Sequence, residues 1–68
     1  MLKETIMSAM AANLEGRKLK AKANVDIFLL NPVGVAEHGD TLETIEDQLA
    51  IMCDCEEKIG VITKYFRV

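Results

Sequence analysis

Residues 2–30 carry apolar side chains in two stripes, and this feature most restricts how the chain can fold. From Leu2 to Leu30 there is no proline and one glycine, and most residues favour helix. At about 100° per residue, one stripe comprises Met7, Met10, Leu14, Ala21, Val25 and Phe28, with Arg17 filling a gap. The other comprises Ala9, Ala12, Gly16, Leu19, Ala23, Ile27 and Leu30. The spacing predicts a helix over residues 2–30 with apolar side chains on roughly opposite sides.

Two stripes on one helix indicate two covering surfaces. A helix that packs on one side needs a single stripe, and a second helix of the same chain can cover only one. Leu19, Ile27 and Leu30 share the second stripe and would be unfavourable in water. Ala12 and Gly16, four residues apart, would let two helix backbones approach closely, by analogy with small-residue contacts in membranes. We therefore predict that the second stripe is an oligomer interface. The alternative is that its alanines are helix formers on a solvated face.

The sequence changes character after Leu30. Pro32 disfavours helical geometry at Asn31, and Gly34 and Gly39 add turn freedom, so residues 31–39 are predicted to form a loop. Asp40 is a good N-cap, and Glu43 follows at capping-box spacing. A second helix is predicted over residues 40–66. Its core seam comprises Leu42, Ile45, Leu49, Met52, Cys55, Ile59, Ile62 and Phe66, with a local break in the heptad around Met52.

Length and composition limit the architecture further. A chain of 68 residues forms one domain at most and buries only about 60% of its unfolded surface. Half of the residues are apolar and few are aromatic, which suits helices. A strand over Asn24–Leu30 would have no partner strand. We predict an all-α, two-helix antiparallel hairpin of residues 1–68, associating as a homodimeric four-helix bundle.

The charge pattern offers an alternative function. The net charge of −3 gives no general attraction to nucleic acid or to an anionic membrane. However, Arg17, Lys18, Lys20 and Lys22 form a basic segment, and dimerisation could gather it into one patch for a nucleic-acid-associated factor. The simpler interpretation is pairing with the acidic stretch of residues 40–57 across the hairpin, which is worth tenths of a kcal/mol per exposed contact.

The chemically reactive side chains do not form a catalytic or metal-binding pattern. On a helix, Cys53 and Cys55 point about 160° apart, so the two thiols cannot chelate one ion, and Cys55 is predicted to lie in the core. Glu37, His38 and Asp40 cluster in the loop and give a weaker alternative, a metal site. Without a nucleophile, a phosphate loop or paired inward carboxylates, we predict a protein that is not an enzyme, with no catalytic, cofactor-binding or metal-ligating residues.

Targeting signals are also missing from the sequence pattern. The longest apolar runs, Ala9–Ala12 and Ile27–Leu30, are too short to span a bilayer. The opening residues Met1, Leu2, Lys3 and Glu4 include an early acid and no apolar stretch of signal-peptide length. Cysteines that cannot pair with each other fit a reducing compartment. We expect a soluble protein of the cytoplasm with no membrane partner.

Residues 31–40, with the sequence NPVGVAEHGD, are followed by an acidic helix ending in Lys64, Tyr65 and Phe66. Together with the opening residues 1–7 and residues 9–15, this pattern resembles a group of short hypothetical helical proteins encoded by marine cyanophages. The resemblance covers nearly the whole chain and implies a phage gene expressed in a bacterial cytoplasm. It implies no activity, cofactor or site residue. The predicted function is a non-enzymatic interaction or accessory protein that acts as a homo-oligomer and binds a host or phage protein.

Overall fold

The structure is a computed structural model and describes residues 1–30 and 41–66. Helix α1 spans Leu2–Leu30 and helix α2 spans Thr41–Phe66. The two helices pack side by side in an antiparallel hairpin that measures 51 × 14 × 13 Å. The prediction of an all-helical chain with two packed helices is confirmed. The predicted loop of residues 31–39 and the predicted N-cap, Asp40, lie outside the described residues.

Contacts along each helix support its formation. The Thr5 hydroxyl donates to the carbonyl oxygen of Met1 at 2.9 Å, which satisfies that side chain at the start of α1. Ion pairs four residues apart join Lys22 to Asp26 at 2.9 Å and Asp54 to Lys58 at 2.8 Å. Exposed pairs at this spacing contribute about 0.2–0.5 kcal/mol each. Most of the helical stability must therefore come from packing between the two helices.

The contact between the helices follows a regular heptad. The inward residues of α1 are Met7, Ala11, Leu14, Lys18, Ala21, Val25 and Phe28, and those of α2 are Thr41, Ile45, Gln48, Met52, Cys55, Ile59 and Ile62. All of them are buried or half-buried. The steps alternate between three and four residues in both helices, which is the repeat of a coiled coil. We call this contact the seam.

The best-covered part of the seam lies where the N-terminal half of α1 packs on the C-terminal half of α2. Leu14, Cys55 and Ile62 form the buried cluster, and Met7, Ala11 and Ile59 pack against it. Cys55 is completely buried, which confirms its predicted place in the core. Few side chains are fully covered in a hairpin this thin, so the core contributes limited hydrophobic stabilisation.

A polar contact between the C-terminal part of α1 and the N-terminal part of α2 sets the register of the seam. The Asn24 side-chain amide donates to the Gln48 side-chain carbonyl oxygen at 3.0 Å, in a partly buried position. A polar pair between apolar layers favours the one alignment in which both groups are satisfied. This contact places residue 24 level with residue 48, and the buried cluster continues the same antiparallel alignment.

Part of the predicted seam is wrong. Leu42, Leu49 and Phe66 are predicted members of the seam, but they are 69%, 46% and 41% exposed. Thr41 and Gln48, each one residue before a leucine, hold the inward positions instead. With these residues the heptad is unbroken, so the predicted break around Met52 is also wrong. A search for apolar residues selects each leucine and so moves the predicted seam by one residue. The residues that α1 covers are those spaced alternately three and four apart along α2.

The same error occurs in α1. Met10 is 49% exposed at the side of the hairpin, while Ala11 faces α2. Arg17, which filled the gap in the predicted stripe, is exposed, and Lys18 takes the inward position. The Lys18 side chain remains 23% exposed, because its long stem can lie along the seam while the ammonium reaches its edge.

Candidate interaction surface

The second apolar stripe of α1 lies on the surface of the hairpin. It comprises Ala9, Ala12, Gly16, Leu19, Ala23, Ile27 and Leu30, and every one of these residues is exposed. Leu19 is 55% exposed, Ile27 61% and Leu30 83%. The intrachain packing therefore leaves this whole face uncovered. We call it the outer stripe.

The outer stripe has its own heptad. Ala9, Gly16, Ala23 and Leu30 recur every seven residues on the side of α1 directly opposite the seam, and Ala12 and Leu19 lie beside them. From the helical repeat, the centre of the face that these six residues form lies about 150° around the α1 axis from the seam. Asp26 holds the position seven residues after Leu19, and Ile27 lies on the far flank of the stripe. The outer stripe thus has the spacing of a second coiled-coil contact, and α2 is on the wrong side of the helix to make it.

Gly16 sits in the middle of the outer stripe. A Cβ added at this residue would meet nothing within 4 Å, so packing inside the hairpin does not require a glycine there. Glycine within a helix costs roughly 1 kcal/mol relative to alanine. The hairpin alone therefore gives no reason for Gly16.

A groove runs along one side of the hairpin, between the helices. Its larger part has a volume of about 510 Å³ and includes Met10, Leu14, Val61 and Ile62 among its lining residues. A smaller part, of about 290 Å³, is lined by polar and apolar residues including Arg17, Asn24 and Gln48. Sequence reasoning missed this groove, since it placed Met10 within the seam.

The structure separates the basic residues proposed as a nucleic-acid patch. Lys18 pairs with Glu15 at 2.9 Å, and Lys22 pairs with Asp26 at 2.9 Å. Arg17 and Lys20 line the smaller part of the groove. One hairpin thus presents these charges in different directions, and acidic groups accompany two of them.

Lys18 is the basic residue that the seam affects most. The hydrogen bond that the Lys18 ammonium donates to the Glu15 carboxylate raises the pKa of Lys18 above its ordinary value of 10.5. Partial burial opposes this, and the charges of Glu15 and Glu56 reinforce it. The ammonium thus lies among carboxylates of both helices and stays protonated at neutral pH. This role is structural and leaves Lys18 less available to an anionic ligand.

The predicted pairing of basic α1 with acidic α2 does not take the form of ion pairs. Across residues 1–30 and 41–66, each ion pair joins two groups of the same helix or the N-terminus to Glu4. The opposite charges of the two helices can act only at longer range, where solvent screens them. The seam is therefore held by its apolar layers and by Asn24 and Gln48.

The cysteines and the loop residues considered as metal ligands do not form a site in the described part of the chain. Cys53 is exposed and Cys55 is buried, and both are free thiols. In the part of the chain that the structure describes, no three His, Cys, Asp or Glu side chains are grouped as a metal site would require. The predicted cluster of Glu37, His38 and Asp40 lies outside that part.

Two further findings concern membrane spans in the described helices and the similarity of the sequence to known proteins. Neither described helix contains a stretch long and apolar enough to cross a bilayer. No known protein family, curated protein or solved structure matches this chain. The exposed outer stripe is therefore the main structural evidence about function.

Proposed function

We propose that this chain is a non-enzymatic interaction protein that acts as a helical homo-oligomer, in its simplest form a homodimer. The observation that carries this proposal is the exposure of the whole outer stripe in the single hairpin. Leu19, Ile27 and Leu30 each expose more than half of their surface on one face of one helix. Contiguous apolar surface of this kind marks interaction sites in proteins.

The thinness of the hairpin supports the same proposal. Only Leu14, Ala21, Cys55 and Ile62 are buried apolar residues among those described. Small domains without disulfides or structural metals commonly gain the missing stabilisation by association. A second copy on the outer stripe would cover further apolar area and give an assembly of four helices.

The charged residues support a second protein rather than a nucleic acid as the partner. A nucleic-acid surface needs cations directed to one side, whereas Lys18 and Lys22 are engaged by Glu15 and Asp26. In a dimer that binds through the outer stripe, apolar contacts supply the affinity. The association should therefore depend weakly on ionic strength, whereas binding to a nucleic acid should fall steeply with added salt.

The test uses two matched leucine variants. Leu19→Gln removes an apolar side chain from the outer stripe, and Leu42→Gln removes one of similar exposure from α2, away from the stripe. Light scattering over a dilution series should give twice the chain mass of 7.5 kDa for the wild type and for Leu42→Gln. Leu19→Gln should raise the dissociation constant on the order of 10–100-fold, since two copies of the contact are lost.

Far-UV circular dichroism on the same samples shows whether folding depends on association. Loss of helix together with loss of mass would mean that the hairpin needs its partner to fold, which agrees with the proposal. A wild type that stays monomeric and fully helical at micromolar concentration would refute it. Equal weakening of association by Leu19→Gln and Leu42→Gln would refute the assignment to the outer stripe.

A further inference from the structure

The position of the outer stripe restricts how two hairpins can join. In a square bundle each helix contacts two neighbours about 90° apart around its axis. The outer stripe lies about 150° from the seam, so a partner seated on it is nearly opposite α2. Two hairpins joined this way form a layer in which the two α1 helices are central and the two α2 helices are outside.

We infer that the two central helices run antiparallel, in the register that sets Gly16 of each copy against Leu19 of the other. This inference rests on the proposed homo-oligomer and adds its direction and alignment. In this register, two central residues of the outer-stripe heptad face each other when their numbers add up to 35. The gap at Gly16 then receives a leucine side chain, which gives the glycine a reason that the single hairpin lacks. Ala12 meets Ala23 in the neighbouring layer.

The charges beside the outer stripe are arranged for this direction. Glu15 and Lys22 lie on the same flank of the outer stripe, at nearly equal distances from the centre of the contact. Glu15 is paired with Lys18 and Lys22 with Asp26 inside each copy, but their side chains are 47% and 58% exposed, so each can also meet a charge of the second copy. An antiparallel partner brings Glu15 of each copy opposite Lys22 of the other, and twofold symmetry makes this pair twice. Such complementarity favours one orientation over others.

Residues on the other flank of the outer stripe and near the ends of the contact also meet suitable partners in this register. Ile6, which is 48% exposed, comes opposite Ile27 of the second copy. Asp26, which belongs to the heptad of the outer stripe, comes opposite Ala9, whose small side chain leaves room for the carboxylate and its Lys22 partner. A parallel alignment would instead place Asp26 against its own copy, and like charges in contact are unfavourable.

Cysteine cross-linking tests direction and register together. Ala9→Cys and Asp26→Cys are each made in a Cys53→Ala background, which removes the exposed native thiol while leaving the buried Cys55 in place. In the proposed register, residue 9 faces residue 26 of the other copy, within disulfide reach. Two residues 9 lie about 25 Å apart along the helices. The variants are oxidised with glutathione disulfide, alone and as an equal mixture.

We expect a disulfide between the two different variants in the mixture, and no more in either variant alone than the Cys53→Ala parent forms. Disulfides within each variant alone would show a parallel pair and overturn the inferred direction. A dimer by light scattering without cross-links above the level of the Cys53→Ala parent would overturn the register and leave the homo-oligomer standing. A monomer by light scattering would overturn both the inference and the proposed function.

Discussion

Helix α1 has two apolar faces that differ in how they are covered. The seam face carries Leu14, which is 3% exposed, and the outer stripe carries Leu19, which is 55% exposed. The seam face even includes a lysine, Lys18, whereas the outer stripe contains only small residues, leucine and isoleucine. Apolar content alone therefore does not determine which face packs within the chain. The match to the heptad of α2 does.

Helix α2 shows what a helix with one partner looks like. Its side opposite the seam carries Glu43, Ala50, Glu57 and Lys64, and all four are exposed. The corresponding side of α1 carries Ala9, Gly16, Ala23 and Leu30. Both helices cover the same seam, yet only α1 has an apolar back. This difference is what the proposed assembly requires, with α1 in its interior and α2 on its outside.

The largest effect should come from truncating leucine on the two faces of α1. Leu14→Ala should lower the free energy of unfolding by about 2–4 kcal/mol, because it removes buried contacts and leaves a cavity. Leu19→Ala should have little effect on the dilute monomer, about 0.5 kcal/mol or less, and should destabilise only at concentrations where the chain associates. Urea unfolding followed over a dilution series separates the two. An equal cost at the lowest concentration would remove the distinction between the faces.

The next effect concerns the polar contact of the seam. Asn24→Ala and Gln48→Ala should each destabilise the hairpin, because each leaves a partly buried amide without its partner. The double-mutant cycle should give a coupling energy of about 0.5–1.5 kcal/mol. Thermal or urea unfolding measures all four forms. Strictly additive single effects would mean that this hydrogen bond does not hold the register.

Alanine substitutions at Gly16 and Gly60 compare the surface of α1 opposite the seam with that of α2. Gly16→Ala and Gly60→Ala should each raise helix stability by roughly 0.5–1 kcal/mol in the dilute hairpin, since a Cβ meets nothing at either site. Gly16→Ala should also weaken association, because its methyl group occupies the place proposed for Leu19 of the second copy. Gly60→Ala is the matched control and should leave association unchanged. The same dissociation constant for both variants would argue against a contact at Gly16.

The smallest effect is the pH dependence that Lys18 contributes. Its pKa is raised in the folded chain, so the stabilisation is complete below the ordinary value of 10.5 and is lost as the pH rises above it. Melting temperatures of the wild type and Lys18→Gln, compared between neutral and strongly alkaline pH, should converge as Lys18 loses its proton. A constant difference across that range would mean that the charge of Lys18 does not stabilise the seam.

Part of this architecture could be read from the sequence in advance. Two helices, the place of Cys55 in the core and the two-sided character of α1 follow from residue type and spacing. The exact seam does not, because Thr41, Lys18 and Gln48 occupy inward positions that a search for apolar residues rejects. The spacing of alternately three and four residues in both helices could have revealed the seam, provided that polar residues were allowed at inward positions. The groove beside Met10 could not be predicted while Met10 itself was placed in the seam.

Residue type and spacing are enough to show that the chain is helical and that α1 has more apolar surface than one partner helix can cover, because local propensity and side-chain period act within each helix. Which of the two faces α2 covers is known only from the packing of the helices. That choice depends on the alignment of two heptads across the hairpin and on polar side chains that are satisfied there, as Asn24 and Gln48 are. These contacts join residues distant in sequence, so no local pattern contains them.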